Sequence, residues 1–367
     1  MQQALELARE SVGLAHPNPV VGAVVVRGGK VVGRGRHIFD QCDHAEVVAL
    51  QQAGERARGA TLYVTLEPCC HTGRTGPCTK AIVQAGVARV VAAIADPNPQ
   101  VAGRGFAELL AAGTQVTVGP GEEEALRLNE DFACWVKTGK PLVTLKVAVT
   151  LDGKIAGKPG EETVISGQAS RGEVQRMRHV ADAVLTGIGT VSADDPLLTD
   201  RTGLPRRRPL LRVIVDSRLR LPLESQLVRS AKNDVLVFAT DKLDKARQET
   251  LERAGVEVVR VAANAGRVDL QEVIAELGRR QVLNLLLEAG AEVNGAAIAC
   301  GLVDKMVLFY APRVLGEGGV PLAHLPKDWF ASGPKLSRLS VQRFGEDFRV
   351  EGYFHDVYWH HRIHRED

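Results

Sequence analysis

Tyr63-Val64-Thr65-Leu66-Glu67-Pro68-Cys69-Cys70-His71-Thr72-Gly73-Arg74-Thr75-Gly76-Pro77-Cys78, residues 63–78, is the stretch that decides the fold of the first half of the chain. It begins inside a β-rich run, Ala60–Leu66, that ends at Glu67-Pro68-Cys69. It closes at Pro77-Cys78. Proline's fixed φ suits the first helical turn, so Cys78 is expected to start a helix that runs to Gln84 and stops at Gly86. Upstream, His44-Ala45-Glu46 opens an expected helix through Gln52, closed by Gly54. On this reading both thiols and the imidazole lie at helix beginnings, where the dipole and unpaired N–H groups favour a thiolate.

One imidazole and two thiolates, His44, Cys69 and Cys78, are three ligands of the kind that Zn2+ takes when it keeps a fourth position for water. Glu46 is not a ligand in such a set. It is the acid/base that the H-x-E…P-C-x-x-C deaminase pattern needs beside an activated water. The close-spaced second-cysteine position holds Thr72, and the thiol arrives only at Cys78. The expected chemistry is hydrolytic: Glu46 takes a proton from water, the oxygen adds to an amidine-type ring carbon, and the amine leaves as ammonia. A structural zinc finger would close its shell with four protein ligands, often in two cysteine pairs, and no second pair exists. Cys70, next to Cys69 in a turning chain, is expected to point elsewhere.

Around this stretch the pattern alternates strand and helix. Ala4, Leu5, Ala8 and Val12 share a helical face in residues 2–12. Pro17-Asn18-Pro19 breaks that helix, and Asn18 could orient a ring or simply make a turn. Val20–Val26 and Val31–Gly35 read as a hairpin. Val87–Ala95 is a strand, Phe106–Ala112 a helix, Gln115–Val118 a strand and Glu122–Val136 one further helix. An α/β layered domain follows. Lys137-Thr138-Gly139-Lys140-Pro141 punctuates its end, giving a first domain over 1–140, a second over 141–355 and a C-terminal extension over 356–367, read as solvated.

A chain of 367 residues exceeds what one core usually organises, in keeping with two domains. Apolar residues make up 45% and charged ones 25%, the balance of an ordinary globular protein. A net charge of +2 gives no basic field, so no nucleic acid partner is expected. The first ten residues carry charge every few positions, with no secretory apolar core, and no membrane-spanning run occurs. Three of six cysteines crowd between 69 and 78, which suits metal ligation rather than a disulfide framework. The expected location is cytoplasmic.

The second half offers apolar runs at Leu142–Val149, Ala183–Gly187, Leu211–Asp216, Asp234–Ala239, Glu257–Val261, Val282–Glu288 and Lys305–Tyr310, read as buried strands between helices. Lys146 sits inside the first of them. Leu185-Thr186-Gly187-Ile188-Gly189-Thr190 leaves a strand through glycines, where backbone can approach a phosphate. Asp216-Ser217-Arg218 ends a strand with a hydroxyl and a guanidinium, a pair that suits a 2′-phosphate or an ordinary turn. Leu285-Leu286-Leu287-Glu288-Ala289-Gly290 ends in a carboxylate before a glycine-bearing loop that opens a helix. No G-x-G-x-x-G follows the first strand of either half, so a Rossmann domain is not expected. Lys146, Asp194 and Glu288 are the candidate polar groups of this half.

HPNPVVGAVVV (16–26), HAEVVAL (44–50), residues 63–78, ADPNPQVAGRG (95–105), LKVAVTLDGKIA (145–156), LTGIGTVSADDPLLT (185–199), VIVDS (213–217) and LLLEAG (285–290) resemble the bifunctional riboflavin-biosynthesis deaminase/reductase family over roughly residues 1–355. The resemblance implies a cytidine-deaminase-like α/β/α domain followed by a dihydrofolate-reductase-like α/β domain, with Zn2+ in the first and NADPH in the second. It implies that His44, Cys69 and Cys78 hold zinc, that Glu46 is catalytic, and that Asn18, His71 and Arg74 contact the deaminase substrate, Arg74 through its phosphate. In the reductase it implies NADPH at Ala148, Val164, Thr190, Asp194, Ser217 and the Gly290–Gly295 loop. Substrate positions are Glu162, Arg178, Leu198, Arg201 and Glu288, to which the β-run lysine Lys146 is added. The implied reactions are deamination of 2,5-diamino-6-ribosylamino-4(3H)-pyrimidinone 5′-phosphate and reduction of its ribosyl group to ribityl. Homo-oligomerisation is a family expectation.

The chain departs from the family pattern at Cys70, where serine is usual, and at Glu161-Glu162-Thr163-Val164, where a small polar residue and a tryptophan are usual. Two other readings compete. A nucleic-acid base deaminase is opposed by the near-neutral charge and the lack of an aromatic-rich basic stripe. A non-catalytic zinc scaffold would need a fourth protein ligand.

Overall fold

The computed structural model describes residues 1–160, 163–241, 243–355 and 357–358, apart from the side chains of 330 and 332. Glu162 therefore lies outside the described residues. The chain divides into two compact units: Met1–Gly139 with Pro205–Arg208 and Val357–Asp367, and Lys140–Leu204 with Pro209–Asp356.

The first unit runs α1 (Gln2–Arg9), β1 (Gly22–Arg27), β2 (Lys30–Arg36), α2 (Ala45–Ala53), β3 (Thr61–Val64), α3 (Cys78–Gln84), β4 (Arg89–Ala92), α4 (Arg104–Ala111), β5 (Gln115–Val118), α5 (Glu122–Leu128) and α6 (Glu130–Thr138). Its five strands are ordered β2-β1-β3-β4-β5. The β1–β2 and β1–β3 pairs are antiparallel, and β3, β4 and β5 are parallel. Core residues come from both the sheet and its helices, among them Leu5, Val25, Leu62, Val64, Ile82, Val90 and Leu109. Helix α2 lies unusually close to β2: a Cβ at Gly35 would overlap the Ala45 carbonyl. That close seat sets the height of the first turn of α2, which carries Glu46.

The single helix expected over Glu122–Val136 is two helices that meet at Asn129. The side chain of Asn129 serves a distant segment instead of its own helix. Its Oδ1 accepts from Val20 N at 2.8 Å, and its Nδ2 donates to Val20 O at 3.1 Å. Of the extension expected to be solvated over 356–367, only residues 357–358 are described, and there the structure differs. Tyr358 is buried, and its hydroxyl donates to Asn129 O at 2.9 Å.

The second unit contains β6 (Leu142–Thr150), β7 (Lys154–Ala156), α7 (Gln168–Val180), β8 (Ala183–Gly187), α8 (Ile188–Asp194), β9 (Leu211–Val215), α9 (Gln226–Arg229), β10 (Val235–Ala239), α10 (Lys245–Arg253) and β11 (Val256–Arg260). It continues with a short hairpin of β12 (Ala263–Asn264) and β13 (Arg267–Val268), then α11 (Leu270–Arg279), β14 (Asn284–Leu287), α12 (Ala291–Ala299), β15 (Lys305–Ala311), β16 (Val320–Pro321), α13 (Trp329–Ser332), β17 (Ser337–Phe344) and β18 (Asp347–Tyr353). Nine strands form one sheet, β11-β10-β9-β8-β14-β6-β15-β18-β17.

The seven strands from β11 to β15 in this order are parallel, which explains why their sequences read as unbroken apolar runs. Leu285 and Leu287 enter the core on one face, and Leu286 enters the core on the other. Both faces of a parallel sheet are covered, so no polar alternation is needed. Burying one such leucine contributes about 2 kcal/mol. The β17–β18 pair, absent from the sequence expectation, is antiparallel and half-exposed.

Candidate active sites

Three elements of the first unit bring the sequence-predicted ligands together. His44 is the N-cap of α2, Cys69 follows β3, and Cys78 is the first residue of α3. His44 Nδ1 lies 3.2 Å from Cys78 Sγ and 3.4 Å from Cys69 Sγ. All three ligand atoms lie within 4.8 Å of one another. Among the described residues this is the one such group of histidine, cysteine or acidic side chains.

Cys69 is not itself on a helix, contrary to expectation. Its thiol instead receives the N-terminal donor of α3, with Cys78 N at 3.4 Å, while Thr79 N donates to Cys69 O at 3.2 Å. The Cys69 thiol is pulled down to about 4, first because the Cys78 S–H donates to its thiolate and then because His44 does. The same shared proton pushes the Cys78 thiol up. A nitrogen and two sulfurs converging this way, with one sulfur already favoured as thiolate, is a donor set that fits Zn2+. Cys70 stays outside the group; burial pushes its thiol up.

Glu46 is buried in the first turn of α2. Burial raises its carboxyl to about 7, against the opposing pull of His44. That places it near the ideal pKa of a proton carrier at neutral pH. Asn18 is held by a residue that sequence reasoning missed. His37, also buried, stands 3.0 Å by its Nε2 from Asn18 Nδ2 and 3.0 Å by its Nδ1 from Asp43 O. Burial lowers His37, so the ring is neutral. Nδ1–H then donates to Asp43 O, and Nε2 accepts from the Asn18 amide. The His37 ring also meets His44 edge-on at 5.2 Å. No spacing rule singles out this histidine, because its partner precedes it across a hairpin.

His71 and Arg74 are exposed in the loop between the two thiols. Arg74 stacks on Phe39 at 4.1 Å and donates to Phe39 O at 3.1 Å. The missed residue Glu67 ties down a neighbouring segment, residues 96–106. Its buried carboxylate accepts Asp96 N (3.1 Å) and Gly103 N (2.9 Å) on Oε2, and Gly105 N (2.9 Å) and Phe106 N (3.3 Å) on Oε1. Gly105 is needed here, since a Cβ would overlap the Pro68 carbonyl.

The second unit has a cavity of about 800 Å³ at the carboxyl ends of its parallel strands, the crevice where open α/β sheets take ligands. Lys146, Ala148, Val164, Arg178, Thr190, Asp194, Arg201, Glu288 and Gly290 are among the residues that line it. Glu288 pairs with Arg178 through two bonds, 2.7 Å to Nε and 3.2 Å to Nη2, and with Lys146 Nζ at 3.3 Å. Burial alone would raise the Glu288 carboxyl, but the Lys146 and Arg178 charges hold it down at about 2.

Three predicted positions do not line the cavity. Leu198 is packed in the core. Gly295 lies inside α12, where a Cβ would overlap the His324 carbonyl. Ser217 Oγ accepts from Val268 N at 3.0 Å, outside the cavity wall.

Fold and site together define a zinc-dependent deaminase joined to a second α/β unit with a cofactor-sized cleft. Residues 1–94 match the cytidine and deoxycytidylate deaminase zinc-binding region, and residues 141–350 match the RibD C-terminal domain. The riboflavin biosynthesis protein RibD of Aquifex aeolicus is 41% identical over 350 residues, 95% of this chain and 96% of its own. That of Escherichia coli is 38% identical, covering 95% and 96% respectively. Among solved structures, Acinetobacter baumannii RibD superposes with a TM-score of 0.85 at 38% identity, over 96% of this chain and 97% of that one. A Thermotoga maritima protein described as a diaminohydroxyphosphoribosylaminopyrimidine deaminase/5-amino-6-(5-phosphoribosylamino)uracil reductase gives 0.82 at 32% identity, over the same shares.

The chain belongs to the RibD family of riboflavin biosynthesis proteins. It is a bifunctional enzyme, a zinc-dependent deaminase and an NADPH-dependent reductase.

Proposed function

We propose that His44, Cys69 and Cys78 hold the zinc, that Glu46 moves the protons, and that the substrate is 2,5-diamino-6-ribosylamino-4(3H)-pyrimidinone 5′-phosphate. The convergence of three ligand atoms within 4.8 Å, with Glu46 buried two residues along, carries this reading. Zinc bound there supplies Lewis acidity that brings the pKa of water towards about 7. Glu46 accepts the proton of the attacking water and delivers protons to the departing amine, which leaves as ammonia. Asn18, its amide N–H spent on His37, turns Oδ1 to the ring. His71 and Arg74 meet the sugar phosphate, for which a guanidinium fork is well shaped.

In the second unit NADPH supplies the hydride. Ala148, Val164, Thr190, Asp194 and Gly290 flank it, and Ser217 takes its 2′-phosphate with a hydroxyl proton not used by Val268. Ionised Glu288 fixes Lys146 and Arg178 against the opened sugar, and Arg201 stands beside them. Leu198 and Gly295 shape the walls through packing. Glu162 is kept as a substrate position on the resemblance alone. The domain limits proposed are 1–140, 141–355 and 356–367.

The chain works on small molecules. Among the described residues no helix is long and apolar enough to cross a membrane. Six unbridged cysteines and a net charge of +2 support a reducing, cytoplasmic setting without nucleic acid or membrane partners, as a homo-oligomer on family grounds.

Mass spectrometry of the products tests the proposal. Without NADPH the substrate exchanges one amino group for oxygen, and with NADPH it also gains two hydrogens. An unchanged mass under both conditions refutes it.

A further inference from the structure

One face of α7 holds a loop of the same unit. Gln175, Arg178 and His179 stand at i, i+3 and i+4, so their side chains project side by side. Each bonds the chain that follows α8. Arg178 Nη1 donates to Thr199 O at 3.2 Å, and His179 Nδ1 donates to Asp200 Oδ2 at 2.9 Å. Gln175 Oε1 accepts from Arg201 N at 2.8 Å. The other oxygen of Asp200 accepts from Thr202 N at 2.9 Å and from Thr202 Oγ1 at 2.7 Å, which closes the loop around Arg201. The His179 and Asp200 side chains are only 8% and 7% exposed. Leu198 leads into this loop from the core with φ +52°, a left-handed conformation unfavourable for a bulky side chain.

What this loop presents is Arg201, itself exposed and part of the cavity lining. Arg178 lines the same cavity, but its Nε and Nη2 go to Glu288 and its Nη1 to Thr199, so its charge is matched inside the protein. Among the described residues the Arg201 guanidinium has no acidic partner. Such a group is a ready fork for a phosphate. An exposed arginine gives up conformational freedom when it grips a ligand, and a backbone fixed beforehand reduces that cost. We propose that His179 and Gln175 are positioning residues of the reductase, holding the backbone about Arg201 so that its guanidinium meets the substrate phosphate. This rests on the reading of Arg201 as a substrate residue given above.

The full chain is assayed for NADPH oxidation with 5-amino-6-(5-phosphoribosylamino)uracil and with the same compound lacking its phosphate. His179→Leu removes the donor to Asp200, whereas His179→Asn places an N–H back at the Nδ1 position. We expect His179→Leu to raise KM for the phosphorylated substrate about 10-fold, with kcat changed less than about twofold. His179→Asn should bring KM back to within about threefold of the unsubstituted chain. The kcat/KM for the phosphate-free compound and the KM for NADPH should not move in either variant. Gln175→Leu should show the same pattern at a half-buried position, so the test does not depend on the folding of a chain altered at buried His179. Arg201→Met should remove the preference for the phosphorylated compound, and His179→Leu should add little on top of it. Equal losses on both compounds overturn the proposal, because they make the pairing merely structural. Full additivity of His179→Leu with Arg201→Met, or no rescue by His179→Asn, overturns it as well. An Arg201→Met chain that keeps its preference for the phosphate refutes the reading of Arg201 itself.

Discussion

Replacing Glu67 by alanine should unfold the segment over residues 96–106 before it touches any ligand. The substitution strands four backbone N–H groups, of which those of Asp96 and Gly105 are fully buried and those of Gly103 and Phe106 partly so. An unpaired buried donor costs roughly 1–3 kcal/mol. Taking about 1.5 kcal/mol for each buried donor and about 0.5 for each partly buried one gives a loss of about 4 kcal/mol. That is a large part of the roughly 5–15 kcal/mol that holds a domain together.

Glu67→Gln keeps the shape and one acceptor oxygen, so about half of that loss is expected. Because the freed segment includes the neighbour of Pro68, and Cys69 follows directly, zinc affinity should fall by about 10- to 100-fold, as for supporting residues of other zinc sites. Urea unfolding of the first unit, followed with and without zinc, and chelator competition for zinc measure both effects. A Glu67→Ala chain within about 0.5 kcal/mol of wild type, with unchanged zinc affinity, would refute the reasoning.

Other expectations follow from the same geometry. Arg178→Met leaves buried Glu288 with only Lys146. The folded carboxyl is at about 2 against an ordinary 4.5, so its pairing stabilises the fold above pH 4.5, and the gain is lost as pH falls through 2. The variant should be destabilised by up to about 3 kcal/mol at pH 7, with the gap closing below pH 4.5 in denaturant titrations. A constant gap across that range would contradict the assignment. His37→Ala frees the Asn18 amide and should raise KM for deamination about 10-fold with little change in kcat, which steady-state ammonia release would detect. Tyr358→Phe removes one hydrogen bond to Asn129 O and should cost about 1 kcal/mol in the first unit while leaving NADPH oxidation untouched.

The metal group was legible because each ligand stands at the end of an element, where a histidine before a helix or a Pro-Cys after a strand is a local signal. The buried strands of the second unit were legible because a sheet covered on both faces needs only apolar runs. What the sequence hid depends on partners far along the chain. Asn129 looks like a helix residue until its amide is seen to bond Val20. His37 looks like any loop histidine until Asn18 and Asp43 fix its two nitrogens. Glu67 reads as part of a Glu-Pro-Cys turn, yet its work is to gather four N–H groups from residues 96–106. Tyr358 sits in a tail whose polar composition suggests solvent, and it is nonetheless buried. The β17–β18 hairpin escaped because its exposed, mixed residues carry no clear period.

X-ray absorption at the zinc edge tests the central claim most directly. The account predicts one zinc per chain with two sulfurs at about 2.3 Å and nitrogen or oxygen donors at about 2.0–2.1 Å completing a four-coordinate shell. That shell should keep its sulfurs in Glu46→Gln and lose one in Cys78→Ser. A shell of four protein ligands, or one with a single sulfur in the unsubstituted chain, would contradict it.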